Sequence, residues 1–216
     1  MTSRRPRLAG QFQFDNLIKM VNFAREVFVC VCPTSIKASS ATPSKEDGQL
    51  VFKMGSEADL SRLDTKDHAP GYLSECRQRF DDHWWLIGEL DSKIVTYTWL
   101  HQKNSAQYRF LKGCNIKLSK SCGYGYDAWT PPEMRGKGLR RLAFAYELQF
   151  LKGEGLSYEA SFFVKHQLEG ATRSLAKAGI DVLPVWRLKV QRDKTYEVEC
   201  LDEGLSEVVK PDVVVS

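Results

Sequence analysis

The chain has 216 residues, 43% of them hydrophobic and 11% aromatic, enough apolar material for one packed domain or a domain with an appendage. Its 31 lysines and arginines against 27 aspartates and glutamates leave a formal charge of +4, too small an excess to point to nucleic acid. No apolar run reaches the roughly 20 residues of a membrane helix. The basic start Met1–Arg7 is followed by Gln11, Gln13, Asp15, Asn16 and Lys19 where a secretory signal would be apolar. The expectation is a soluble cytoplasmic protein with neither nucleic acid nor membrane as partner.

Residues 1–13 read as a basic tail, and 14–32 as an apolar segment whose later part, Glu26–Cys32, alternates in strand fashion. The six cysteines are scattered through a chain too large to need staples, which reads as reduced thiols. Cys30 and Cys32 form a C-x-C pair without a second pair at zinc spacing, so no metal is expected. Ser, Thr, Pro, Lys and Asp dominate 33–48, a linker composition. The first domain boundary is drawn there, with 1–47 as an N-terminal extension, 48–204 as the domain and 205–216 as a tail.

Gln49–Met54 reads as a short strand, and Ser56-Glu-Ala-Asp59 is a capping-box signature opening a helix. A second helix is expected from about 71 to 82. Trp84–Leu90, the turn Asp91-Ser92 and Lys93–Leu100 form a β-hairpin pattern. A less regular region, 103–121, leads to a strand at Gly123–Thr130 that stops at Pro131-Pro132. A helix follows from about 139 to 152, with Leu139, Leu142, Ala143, Tyr146 and Phe150 on one face. Then come a strand at 157–164, a helix at about 169–177 closed by Gly179, and strands at about 182–190 and 196–200.

The informative unit is the strand that ends in proline, then Arg135-Gly-Lys-Gly138, then the amphipathic helix. A helix N-terminus offers unpaired N–H groups and the positive end of its dipole, and glycines allow an anion close to that backbone. The alternative is a solvated turn with a helix cap. The run is neither a Walker-type loop nor a dinucleotide G-x-G-x-x-G, because Arg141 stands at the third glycine's place.

Thr130, Pro132, Arg135, Gly136, Gly138 and Leu139 resemble the signature V-x-P-x-x-R-G-x-G-[IVL]-[GA] of the GNAT acetyltransferase superfamily, with the hairpin before it and the strand and helix after it in the family's order. The resemblance is strongest over 84–180. It implies an α/β fold with a central mixed, splayed β-sheet flanked by helices on both faces. It also implies acetyl-CoA, or another short acyl-CoA, as cosubstrate. The main chain of Ala128, Trp129 and Thr130 would pair with pantetheine, and Arg135, Gly136, Lys137, Gly138, Leu139 and Arg140 would hold the pyrophosphate. Two departures stand out: Arg140 replaces a small residue, to reach a phosphate or lie outward, and Leu175 replaces a tyrosine that often protonates the departing thiolate.

Transfer to an amine needs a base near the acceptor. Asp127 and Tyr126, on the strand beside the acyl position, and His166, just after the next strand, are the candidates; a cap or a strand-end ion pair is the alternative for Asp127, and a surface position the alternative for His166. Glu159 ranks below them. Tyr124 shares a face with Tyr126, Ala128 and Thr130 unless a bulge intervenes, with core packing as its alternative. The expected reaction is direct transfer of an acetyl group to a primary amine in a ternary complex. Tyr126–Arg135 resembles acetyltransferases encoded with polysaccharide biosynthesis, which implies an amino sugar as acceptor. The rivals are a non-catalytic CoA-binding module and a nucleic-acid contact through Arg135–Arg141. A homodimer, with the N-terminal extension packed on the sheet or on a partner subunit, is a compatible assembly.

Overall fold

The computed structural model describes residues 26–35, 50–101, 107–111, 114–191 and 196–213. Its strands are β1 (Glu26–Pro33), β2 (Val51–Met54), β3 (His83–Leu90), β4 (Lys93–His101), β5 (Gln107–Leu111), β6 (Cys114–Leu118), β7 (Cys122–Trp129), β8 (Tyr158–Val164), β9 (Leu183–Val190), β10 (Tyr196–Cys200) and β11 (Val209–Val213). Its α-helices are α1 (Tyr72–Arg79), α2 (Leu139–Gly153) and α3 (Lys165–Ala176). Eight strands form one mixed sheet in the order β10-β9-β1-β8-β7-β4-β3-β2, and β11-β6-β5 form a second.

The β3–β4 hairpin turns at Asp91 and Ser92 with φ of 49° and 65°, the left-handed pair whose twist matches that of the strands. β4 is buried along nearly its whole length because both faces of the sheet are covered. On one face Trp85, Tyr97 and Trp99 pack against Tyr72 and Cys76 of α1. On the other, Leu86 and Leu100 pack against Leu151 of α2. The capping box forms, with the Ser56 N–H donating to Asp59 Oδ2 at 2.9 Å. The element it opens is a 3₁₀ helix at Glu57–Arg62 rather than an α-helix.

Two boundaries drawn from composition divide what the chain packs together. β1, inside the extension assigned to 1–47, lies between β8 and β9 and is antiparallel to both. Its Val29, Cys30, Val31 and Cys32 are fully buried. β11, beyond the boundary at 204, pairs with β6. The small sheet then covers one face of β1, β8 and β9 through Ile116 and Val209 against Val29, Val185 and Leu188. The region 103–121, expected to be irregular, contains β5 and β6.

The feature that positions the site is a parting in the large sheet. β7 and β8 run parallel and pair only over Cys122–Tyr124 and Tyr158–Ala160. β7 continues to Trp129 and β8 to Val164 without each other, so the sheet splays open between them, with α1 on one face and α2 and α3 on the other.

Candidate active site

At the open end of β7, Pro131 and Pro132 have no N–H to continue a ladder. A single 3₁₀ turn, Pro132–Met134, redirects the chain, and Arg135 Nε donates to the Thr130 carbonyl at 3.0 Å. Gly136 and Gly138 then take φ of 78° and 77°, which costs an L side chain free energy but suits glycine. Gly138 caps α2, whose first internal bond runs from the Leu142 N–H to the Gly138 carbonyl. The N–H groups of residues 139–141 therefore have no partner inside the helix. They face a cavity of about 590 Å³ lined by Arg135, Arg140, Arg141, Arg173 and Lys177 and by no carboxylate.

A second cavity, about 630 Å³, runs between the parted strands, walled by Tyr124–Trp129 of β7 and Ser161–Phe163 of β8. Thr130, Arg135, Arg140, Arg141 and Ser174 line both cavities. An anion cradle thus opens into a slot through the sheet. Lys137 is exposed and lines neither cavity, while Leu139 is both buried and part of the cradle wall.

Within the slot, Tyr126 pairs with Trp99 and Trp129 with Tyr97, so Asp127 and Ala128 together oppose Thr98. This is a β-bulge, with Asp127 at φ 52°. The bulge resets the alternation. Tyr126 and Trp129 both pack on the cluster around Tyr97 and Trp99, and the common face for Tyr124, Tyr126, Ala128 and Thr130 ends at Tyr126.

Asp127 Oδ2 accepts from Arg79 Nη1 at 2.6 Å and from the Tyr72 hydroxyl at 2.8 Å. Behind them the Tyr72 and Tyr97 hydroxyls lie 2.6 Å apart, and Tyr97 lies 2.8 Å from His68 Nε2. Arg79 also sits 5.3 Å from the Trp99 ring and 5.4 Å from that of Tyr126. Among the described residues Asp127 Oδ1 makes no hydrogen bond. Arg79, Tyr72, Tyr97 and His68 have no motif that marks them in the sequence; only the fold brings them to the bulge. Burial pushes the Tyr126 phenol above its usual value, so it stays protonated at neutral pH. His166 stands exposed in the first turn of α3, which starts four residues before the position expected, and lines neither cavity. Leu175 is buried in the slot wall against Phe144.

Arg140 departs from both expected directions. It turns inward along α2, with its guanidinium in an ion pair with the fully buried Glu147 and 5.2 Å from the Phe144 ring. Beneath it lies Glu159, also fully buried and outside the slot lining, which closes it off as a base. A Cβ on Gly125 would fall 2.3 Å from Glu159 Oε1. Burial and then the Glu147 carboxylate hold the Glu159 carboxyl well above the usual range.

No family model matches the sequence, and no curated protein is similar to it in sequence. Among solved structures, the chain superposes on a GCN5-related glucosamine N-acetyltransferase region in a fungal multi-domain GH3 β-N-acetylglucosaminidase with a TM-score of 0.54 at 12% identity, covering 83% of this chain and 23% of that one. The present chain thus spans under a quarter of that protein's length. A putative GNAT-family acetyltransferase from Novosphingobium aromaticivorans superposes with a TM-score of 0.45 at 10% identity, over 74% of this chain and 61% of its own. An aminoglycoside 6'-N-acetyltransferase from Acinetobacter haemolyticus gives 0.43 at 15% identity, over 58% and 88%. At such identities the likeness is one of fold.

Proposed function

Because this chain has the GNAT fold, we propose that it is an acyl-CoA-dependent N-acyltransferase that moves an acetyl group from acetyl-CoA to a primary amine within a ternary complex. The observation that carries this reading is the continuity of the cradle with the slot: five cations around a helix N-terminus open directly into a gap between two parted strands. The residues fit the ligand. Gly136 and Gly138 leave the backbone open to a diphosphate, and no acidic side chain lines the cradle. β7 beyond Tyr124 has no strand on its β8 side, so its main chain is available to pair with an extended amide-bearing arm, the β-augmentation mode.

When bound, acetyl-CoA supplies the activated thioester. The chain's own part is to place the amine and handle protons. Asp127, held at the bulge by Arg79 and Tyr72, orients the amine and takes its proton through Oδ1. Tyr126, protonated and in the slot, supplies a proton to the leaving sulfur in place of the aliphatic Leu175. An aromatic wall of Tyr126 and Trp129 beside a carboxylate suits a hydroxylated ring bearing an amine, which makes amino sugars the first acceptors to try. The fungal region named as a glucosamine N-acetyltransferase supports the same choice.

The test is thiol release from acetyl-CoA across amino sugars, amino acids and polyamines, beside calorimetry with CoA. Amine-dependent release is expected. Micromolar CoA binding with no release for any amine replaces this reading with the non-catalytic one, which the buried Leu175 favours; absence of CoA binding removes both.

A further inference from the structure

Resting on the reading of cradle and slot as the acyl-CoA site, we propose that Glu147 is a positioning residue that holds Arg140 as a fixed cation where cradle and slot meet, so that the guanidinium grips the phosphopantetheine arm rather than the nucleotide end of the ligand. Of the five cations lining the cradle, Arg140 alone has a carboxylate partner among the described residues. Arg135, Arg141, Arg173 and Lys177 have no carboxylate holding them among the described residues, although Arg135 Nε donates to the Thr130 carbonyl. Arg140 cannot follow a phosphate, because its side chain runs two turns along α2 to Glu147 and passes Phe144, which lines the slot and not the cradle.

The arrangement is built from the inside. Glu147 is fully buried, whereas the Arg140 side chain keeps 40% of its surface exposed. One edge of the guanidinium is thus anchored in the core and the rest is presented to the passage. A pre-ordered guanidinium loses little freedom on binding and offers planar, fixed donors, which suits the phosphate ester and amide oxygens of a threaded arm better than a mobile lysine would. At this position the signature of the resembled family has a small residue, so the device belongs to this chain's own residues.

Glu147 pairs directly with this guanidinium, and a second buried carboxyl, Glu159, lies close by. Removing two charges from water for one counter-charge is costly, and Glu159 resolves the imbalance by remaining neutral: its Oε1 is 3.4 Å from the Ser161 hydroxyl and its Oε2 has no partner among the described residues. Glu147 is the direct partner of Arg140, and Gly125, in the slot wall, leaves the space that the Glu159 carboxyl fills behind it.

The test compares three ligands by calorimetry at pH 7 on the full chain: CoA, 4'-phosphopantetheine and adenosine 3',5'-bisphosphate. Arg140→Ala should weaken CoA and phosphopantetheine about tenfold or more, the scale of a lost charge-assisted contact, and leave the adenosine bisphosphate within about twofold. Arg140→Lys should recover part of the loss. Glu147→Gln should show the same selectivity with a smaller loss, and Glu159→Gln, which mimics the neutral acid, should change none of the three. An equal loss for all three ligands in Arg140→Ala, or no loss, overturns the proposal. Arg140→Ala, on the half-exposed partner, carries this decision even if Glu147→Gln fails to fold. A wild-type chain that binds none of the three fails the acyl-CoA reading itself, and this proposal with it.

Discussion

Asp127 combines a left-handed backbone, an ion pair to the partly buried Arg79 and a place in the slot wall. Asp127→Asn keeps the shape and the bond from Tyr72 but removes the charge of the 2.6 Å ion pair to Arg79, whose other carboxylate neighbour, Glu75, lies 3.7 Å away. Turnover should fall by about 10² to 10⁴, the range for loss of a general base, with CoA affinity nearly unchanged; near-normal turnover would move the role to another group. The melting temperature should fall too, because the close ion pair is lost and the more distant Glu75 carboxylate replaces it only in part. His83, whose ring lies 5.5 Å from that of Tyr126, makes a pH prediction. Burial and then His101 lower its pKa from 6.5 to about 4, so between those values the unfolded chain binds more protons than the folded one. Stability should therefore decline as pH falls from about 6.5 to about 4. His83→Gln, which does not titrate, should flatten that part of a denaturation-versus-pH curve; an unchanged slope would show that His83 is not its source.

At the scale of elements, the turn into α2 is where local sequence speaks most directly. Gly138→Val would force a β-branched residue to φ 77° and bring its Cβ to within 3.3 Å of the Arg141 guanidinium. CoA affinity should drop at least about tenfold while the far-ultraviolet circular dichroism stays native; unchanged affinity would remove the cradle as the binding site. α2 itself shows what periodicity misses. The face Leu139, Leu142, Ala143, Tyr146 and Phe150 does pack, but Phe144, Ala145, Leu148 and Leu151 are buried as well. The buried arc is wide because one part of α2 meets β3 and β4 while another meets β1 and α3, and Glu147, in its middle, has the composition of a solvated face.

For the whole molecule, the position of β1 decides what counts as the domain. A chain starting at residue 48 would lack the strand between β8 and β9, exposing two ladders and Val185, Leu188, Ala160 and Leu175 to water. That chain should show no cooperative thermal transition, whereas one starting at residue 48 that melts cooperatively near the parent's temperature would restore the boundary read from composition. The hairpin of β3 and β4, the proline stop after β7 and the glycine-led start of α2 were legible in the sequence. Each depends on φ preferences and side-chain alternation among residues a few positions apart, and those are written locally. The parting of β7 and β8, the bulge at Asp127 and the burial of β1 depend on partners far along the chain, which no local preference specifies. The same holds for charge: Arg79 and Asp127 are 48 residues apart, and Glu147 and Glu159 sit on different elements. As letters they are ordinary surface residues, and only the packing of the sheet against α1 and α2 removes them from water and makes their pairing a condition of the fold.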